Sequence, residues 1–400
     1  MGSAGLDDLL RYEAGALAAA IRGRRVSAVE AVAASLHAIE RAAGLNAFIT
    51  VCAERALARA RAGVSGPLAG VPFVAKDLLD TACVRTTFGS ALCRHRVPSR
   101  SASAVLRLEA AGAILVGKTN LHEFAWGATS QNPHFGTVAN PRRPGHVAGG
   151  SSGGSAAALA AGLCPLALGT DTGGSVRIPA ACCGVVGLRP RLATIPLDGC
   201  FPLAPSFDTV GPMARSVRDC ALAFRALTGT TVRPAPLDGV RIGVLGVPPD
   251  LARFEALGAR LVGARLPEPA GDSFLAEVVA THRGTYRHAR EQLGPDLVAK
   301  YRAARRALAD CPPINARGAL AASRAAADAL PVDLVVTPAI DGVLPRADCW
   351  EPDVRAALTR WTRPFSFLDW AAIAVGDIQI AGRTEEAVLG AALSYEAALL

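Results

Sequence analysis

Two clusters of glycine and small hydroxyl residues are the part of this chain best suited to chemistry. The first is Gly149-Gly150-Ser151-Ser152-Gly153-Gly154-Ser155, and the second is Gly169-Thr170-Asp171-Thr172-Gly173-Gly174-Ser175. Ser151 and Ser175 stand 24 positions apart, joined by Ala- and Leu-rich sequence that can pack closely. Glycine costs backbone entropy on folding, so gathering it beside hydroxyls in an apolar stretch calls for a use. One use is main-chain N–H groups laid bare next to a nucleophile, where each donor contributes about 3–4 kcal/mol to stabilising an oxyanion. The run Thr172 to Ser175 offers up to four such amides. The same donors at a helix start would also serve a bound phosphate.

Lysine usage points the same way. Of 42 basic residues only three are lysines: Lys76, Lys118 and Lys300. Arginine keeps its proton in a protein, whereas a desolvated lysine can lose it and act as a base. Lys76 and Lys118 both follow apolar runs that read as buried. A serine hydroxyl needs a base within hydrogen-bond reach, and a lysine serves only when neutral. Burial beside Val71, Phe73 and Val74 would lower Lys76 from about 10.4 to about 7–8, costing roughly 3–5 kcal/mol of stability. Two serines with such a lysine indicate acyl transfer.

The elements that must hold these groups follow from periodicity and breakers. Amphipathic helices are expected at 12–22, 27–42 and 52–62, then a strand at 70–75 that delivers Lys76 and Asp77 at its end. A helix at 103–112 precedes a strand at 113–116. A helix at 154–162 follows the first serine cluster, a strand at 166–168 leads into the second, and another strand occupies 185–188. The turn-rich segment 228–239 is the best candidate for a domain boundary. Beyond it lie a strand at 240–247, an Ala/Arg-rich helical region at 275–330 with no other signal, a strand at 333–338 and a final helix at 384–399. Alternating strands and helices in 400 residues, half of them hydrophobic, describe an α/β protein.

Other classes are excluded on composition. The net charge of +8 comes from scattered arginines, with no basic block interleaved with aromatics, so no nucleic-acid partner is expected. Ten cysteines without a CxxC pair or metal-ligand spacing read as reduced thiols, and neither a metal nor a cofactor is expected. No signal peptide or membrane-spanning run is visible, which makes the cytoplasm the expected location and a membrane no partner. Gly112 to Thr119 matches the P-loop pattern G-x-x-x-x-G-K-[ST], but its intervening residues are themselves a strand, which leaves no loop for a phosphate. His122, His134 and His146 lack ligand spacing and read as structural.

Several motifs together carry a resemblance. The stretch 149–179, Gly70-Val71-Pro72 with Lys76-Asp77, Thr86 to Ser90, Gly117-Lys118-Thr119-Asn120 with Glu123-Phe124, Asn140-Pro141 and Phe207 to Pro212 occur in an order that resembles the amidase signature family. The likeness is dense over 14–225 and thin over 330–396. It implies one large α/β domain over 1–400, with a central mixed β-sheet covered on both faces by α-helices and a shortened variable region at 240–330. Residues 331–400 would return to the core. It also implies a Ser–Ser–Lys triad: Ser175 as nucleophile, Ser151 as bridging serine after a non-proline cis peptide, and Lys76 as base. Thr172, Gly173 and Gly174, with Ser175, resemble the oxyanion amides, and Ser152, Ser155, Asp171 and Arg177 the residues that hold those loops.

The chain departs from the family where the substrate would lie. Ala372 to Val375 runs almost directly into Gly376 to Ile380, Arg189-Pro190-Arg191 replaces Lys-Pro-Thr, and Ser366 replaces an Asn. Arg177 has two readings, as a substrate-carboxylate site or as a structural salt bridge. The expected activity is a cofactor-free hydrolysis of the C–N bond of a small linear amide. The expected partners are that small molecule and, at most, a second copy of the chain as a homodimer. The alternatives are the glutaminase subunit of a tRNA-dependent amidotransferase and a trimmed, inactive homologue.

Overall fold

In the computed structural model, which describes residues 8–267, 273–310 and 316–399, eleven strands form one mixed sheet. The strands are β1 (Phe48–Val51), β2 (Pro72–Lys76), β3 (Ile114–Thr119), β4 (Leu166–Asp171), β5 (Val186–Arg189) and β6 (Thr209–Ala214). They continue with β7 (Arg241–Val244), β8 (Arg260–Gly263), β9 (Leu334–Pro338), β10 (Ala371–Val375) and β11 (Ile378–Gly382). Their order across the sheet is β1-β3-β2-β4-β6-β5-β10-β11-β9-β7-β8. The pairs β3/β2, β2/β4, β9/β7 and β7/β8 are parallel, and the remaining six are antiparallel.

Both faces of the central strands are buried, as their apolar runs require. On one face Phe73, Ala75, Leu166 and Leu168 pack with Val217, Cys220, Phe224 and Leu227 of the helix Val217–Thr228. On the other face Val74, Ile114, Val116 and Ala167 pack with Ala156, Ala157 and Leu159 of the helix Gly153–Ala160. Side chains alternate across a strand, so Lys76 shares the face of Val74, which looks toward the serine-bearing helix. Gly154 permits that helix to sit close: a Cβ there would lie 2.4 Å from the Asn120 carbonyl and 2.5 Å from that of Ala47.

The segment 228–239 is not a domain boundary. Ala235 N donates to the Gly390 carbonyl of the final helix, Glu385–Ala397, and β7 and β8 extend the same sheet through β9. Among the described residues the region 275–330 forms three α-helices, Ser273–Ala289, Pro295–Asp310 and Ala316–Asp328. β1, β6, β8 and the helices Arg177–Cys183, Val217–Thr228, Leu251–Ala256, Glu351–Thr359 and Arg363–Leu368 lie outside the strands and helices assigned from sequence. The near-continuous run 372–380 is a tight hairpin of β10 and β11 turning at Gly376-Asp377, registered Val375↔Ile378.

Candidate active site

β2 and β4 are parallel neighbours, registered Ala75↔Leu168, so their C-terminal ends open at one edge of the sheet. Lys76 ends β2 and Thr170-Asp171 end β4. Ser151 and Ser152 lie immediately before the helix Gly153–Ala160, and Ser175 before the helix Arg177–Cys183. Ligands of open α/β sheets collect at such strand ends.

Lys76 is fully buried, and its Nζ donates to Ser151 Oγ at 2.7 Å and to Thr170 Oγ1 at 2.7 Å. Burial pushes its pKa down to about 7, against the opposing influence of Cys200, Asp171 and Asp208. The Gly150–Ser151 peptide is cis. The Ser151 carbonyl, one peptide further on, accepts from His122 N at 3.2 Å and from Ser130 Oγ at 3.3 Å, which holds the start of the loop that follows. Ser152 N donates to the Ser175 carbonyl at 3.1 Å, joining the two serine loops through main chain. Ser152 Oγ also bridges the Thr170 carbonyl and amide at 3.3 Å each. Ser155 Oγ bonds Thr119 Oγ1 at 2.7 Å and the Leu168 carbonyl at 3.1 Å, holding its helix to β3 and β4. No hydrogen bond links Ser175 Oγ to Ser151 Oγ among the described residues. Ser175 instead lines a cavity of about 310 Å³.

Thr172 and Gly173 line the same cavity, and the amides of Thr172, Gly173 and Ser175 have no acceptor among the described residues. Gly174 differs from the expectation of a bare amide. Its N–H donates to Asp171 Oδ1 at 2.8 Å, and the residue is absent from the cavity wall. The physical reason is its backbone, with φ +132°, which turns the loop back over the Asp171 carboxylate. A Cβ there would meet Thr362 Oγ1 at 2.1 Å.

Asp171 is the anchor of the second loop. Besides Gly174 it accepts from Val176 N at 3.2 Å and from Arg177 Nε and Nη2 at 3.0 and 2.9 Å. Burial raises its pKa, but Arg177, Arg189 and these hydrogen bonds outweigh that and hold the carboxyl well below the usual range. Arg177 is fully buried, and its remaining donors go to the Thr362 carbonyl, Gln379 Oε1 and Ser366 Oγ. Every N–H of Arg177 is engaged, which leaves its structural reading and removes it as a substrate-carboxylate site. Arg189 Nη1 donates to the carbonyls of Asp171 and Phe207 at 2.6 and 2.9 Å. Two of the family departures, Arg189 and Ser366, therefore brace the Asp171 loop.

Sequence reasoning missed several contributors. Thr170 holds Lys76, and Asp208 accepts from Thr172 Oγ1 at 2.6 Å. The region 275–330, which carried no signal, supplies Leu275, Lys300 and Ala304 to the cavity wall, with Phe274 just before it. Lys300 is buried as well, bonded to Asp296 Oδ2 at 2.7 Å and Glu351 Oε2 at 3.1 Å. His122, Asp296 and Glu351 bring ligand-type atoms within 4.8 Å of one another, and the Lys300 ammonium stands among them. Lys118, the P-loop lysine, is a strand residue, fully buried and paired with Asp77 Oδ1 at 3.0 Å.

An eleven-stranded mixed sheet with paired serine loops at its open strand ends defines the amidase fold. Residues 30–237, just over half of the chain, match the family model described as Amidase, and the chain belongs to the amidase signature family. It is 47% identical over 230 residues to the A component of the glutamyl-tRNA(Gln) amidotransferase of Lachnospira eligens, spanning 55% of this chain and 48% of that protein. The same component from Cupriavidus necator is 42% identical over 302 residues, 63% of this chain and 60% of the relative. The chain thus matches about half to three-fifths of these curated relatives' length. Solved structures match over nearly all of it. A protein from a complex bearing on the origins of an s-triazine catabolic enzyme is 30% identical with a TM-score of 0.84, over 96% of this chain and 98% of that one. An amidase is 29% identical with a TM-score of 0.84, over 97% and 99%. A 6-aminohexanoate cyclic dimer hydrolase is 25% identical with a TM-score of 0.84, over 98% of each. Among the described residues no helix is long and apolar enough to cross a membrane.

Proposed function

We propose that this protein is a cofactor-free amidase that hydrolyses the C–N bond of a small linear carboxamide to a carboxylate and ammonia or an amine. The observation that carries the reading is the 2.7 Å bond between the fully buried Lys76 Nζ and Ser151 Oγ, beside a cavity lined by Ser175. With its pKa near 7, Lys76 has a populated neutral form at physiological pH. Neutral Lys76 takes the Ser151 proton as Ser151 takes that of Ser175, whose Oγ attacks the amide carbonyl. The negative charge on the carbonyl oxygen is met by the amides of Thr172, Gly173 and Ser175. The proton returns through Ser151 to the leaving nitrogen, the C–N bond breaks, and an acyl ester on Ser175 remains. Water then attacks that ester by the same relay, releasing the acid and restoring the Ser175 hydroxyl. Ser152, Ser155, Asp171 and Arg177 hold the two loops and take no part in proton transfer.

The test is ammonia release from a panel of amides and ureas, together with fluorophosphonate labelling of Ser175. Wild type is expected to react in both assays, and Ser175→Ala in neither. A Lys76→Arg variant that kept a tenth or more of wild-type turnover would show the base assignment to be wrong. Absence of labelling in wild type would favour the inactive-homologue reading.

A second reading, a glutaminase component of an amidotransferase, is favoured by the 47% identity to such a protein. Stable co-purification with a second polypeptide would support it. The cytoplasm is the compartment proposed, since nine described cysteines are free thiols.

A further inference from the structure

Three cations stand in the wall of the cavity beside Ser175: Lys300, Arg355 and Arg363. They differ in how far their charge is already answered. Lys300 Nζ donates to Asp296 Oδ2 and Glu351 Oε2, donates to the Trp126 carbonyl, and lies 3.4 Å from His122 Nε2. Neither of those carboxylates reaches the cavity wall, where no acidic side chain is found among the described residues. Arg363 lies over the rings of Phe274 and Phe367, at 5.2 and 4.9 Å.

Arg355 is different. It is half-buried, and its guanidinium has no hydrogen-bonding or ion-pair partner among the described residues; the Trp126 ring lies against it, 5.9 Å to the centroid. Glu351, one helical turn earlier, feels the Arg355 charge from a distance. Its oxygens are taken by Lys300 and by Ala128 N, the latter at 2.9 Å. The Arg355 guanidinium is thus left without a bonded acid. A forked set of five N–H donors in a wall that carries no acidic side chain among the described residues matches a carboxylate, which it can hold through two parallel hydrogen bonds. Arg177 is not available for this task because all its donors are engaged.

We infer that the substrate is an anionic amide, such as the monoamide of a small dicarboxylic acid, with its carboxylate on Arg355 and its amide carbonyl at Ser175. Arg363 adds positive potential from the neighbouring wall. The cavity volume of about 310 Å³ suits an acid of a few carbons. The inference rests on the hydrolytic reading of Ser175, and it adds the charge of the substrate and the residue that selects it.

The experiment pairs binding with turnover on the full chain. Calorimetry compares succinate with succinamide, and ammonia release compares succinamate with butyramide. Wild type is expected to prefer the charged member of each pair by about tenfold or more, as one guanidinium without a bonded acid in a small cavity implies. Arg355→Gln is expected to reduce both preferences to about threefold or less, mainly through KM and Kd, and Arg355→Lys to restore part of them. Equal binding of succinate and succinamide by wild type overturns the proposal. So does a preference that survives in the Arg355→Gln/Arg363→Gln double variant. A succinate preference that depends on Arg355, without ammonia release from any amide, supports the carboxylate site and overturns the hydrolytic reading instead.

Discussion

Arg177 Nη1 and Gln379 Oε1 lie 2.6 Å apart, and this bond ties the helix that follows Ser175 to β11, 202 residues later in the chain. Gln379 Nε2 continues the connection to Thr337 Oγ1 on β9 and to the Trp361 carbonyl. Thr362 Oγ1 adds a bond to the Gly173 carbonyl at 2.8 Å. The C-terminal hairpin is short, yet it supports the loop that carries Ser175.

Removing Arg177 should therefore be among the most damaging single changes outside the reacting groups. Arg177→Met strips Asp171 of its main counter-charge and leaves that carboxylate buried, a loss of about 3–5 kcal/mol. Gln379→Leu removes neutral partners only and should cost about 1–3 kcal/mol. Urea denaturation of the two variants checks both the order and the sizes.

Lys76 sets an expected pH dependence. Its pKa lies near 7 because burial disfavours the charged amine. Log kcat/KM should rise with a slope near one below about pH 7 and level off above it. A flat profile between pH 5 and 8 would contradict this. For stability, the unfolded chain binds the Lys76 proton up to about pH 10.5 while the folded chain releases it near 7. Stability from this group therefore rises with pH across that window, and its penalty is fully present below about pH 7. Lys76→Met should remove the penalty and raise stability most at low pH, seen in thermal melts at about pH 6 and about pH 9.

Lys118 gives a sharp contrast with a nucleotide site. Lys118→Met leaves Asp77 buried with Thr87 N and Thr87 Oγ1 as its remaining donors, at 2.8 and 2.6 Å. A loss of about 3–5 kcal/mol is expected on denaturation. Calorimetric titration of the wild type with ATP should give no binding heat.

Adjacent glycines should respond differently to one added methyl group. A Cβ on Gly173 meets nothing within 4 Å, so Gly173→Ala should fold with a change of about 1 kcal/mol or less. Gly174→Ala forces a left-handed backbone on alanine and drives its Cβ against Thr362, which should cost about 2 kcal/mol or more. Melting temperatures of the pair test this directly.

The sequence alone determined what short-range physics controls. Apolar runs made β2, β3, β4 and β5 legible, and local pattern gave the helix Gly153–Ala160 on one face, while the helix Val217–Thr228 on the other was not read. The pairing of glycine-rich serine loops with a lysine in an apolar segment was legible because few other uses tolerate that composition. Tertiary structure decided what depends on partners distant in the chain. The Gly174 amide turned to Asp171, and Arg177 was saturated by residues of the C-terminal part. Ala-rich helices at 273–310 became a cavity wall although no local pattern marks which alanines face a substrate. Arg355 looks like any of the chain's scattered arginines until folding leaves it without a bonded acid, because a side chain's charge balance is set by what packs around it.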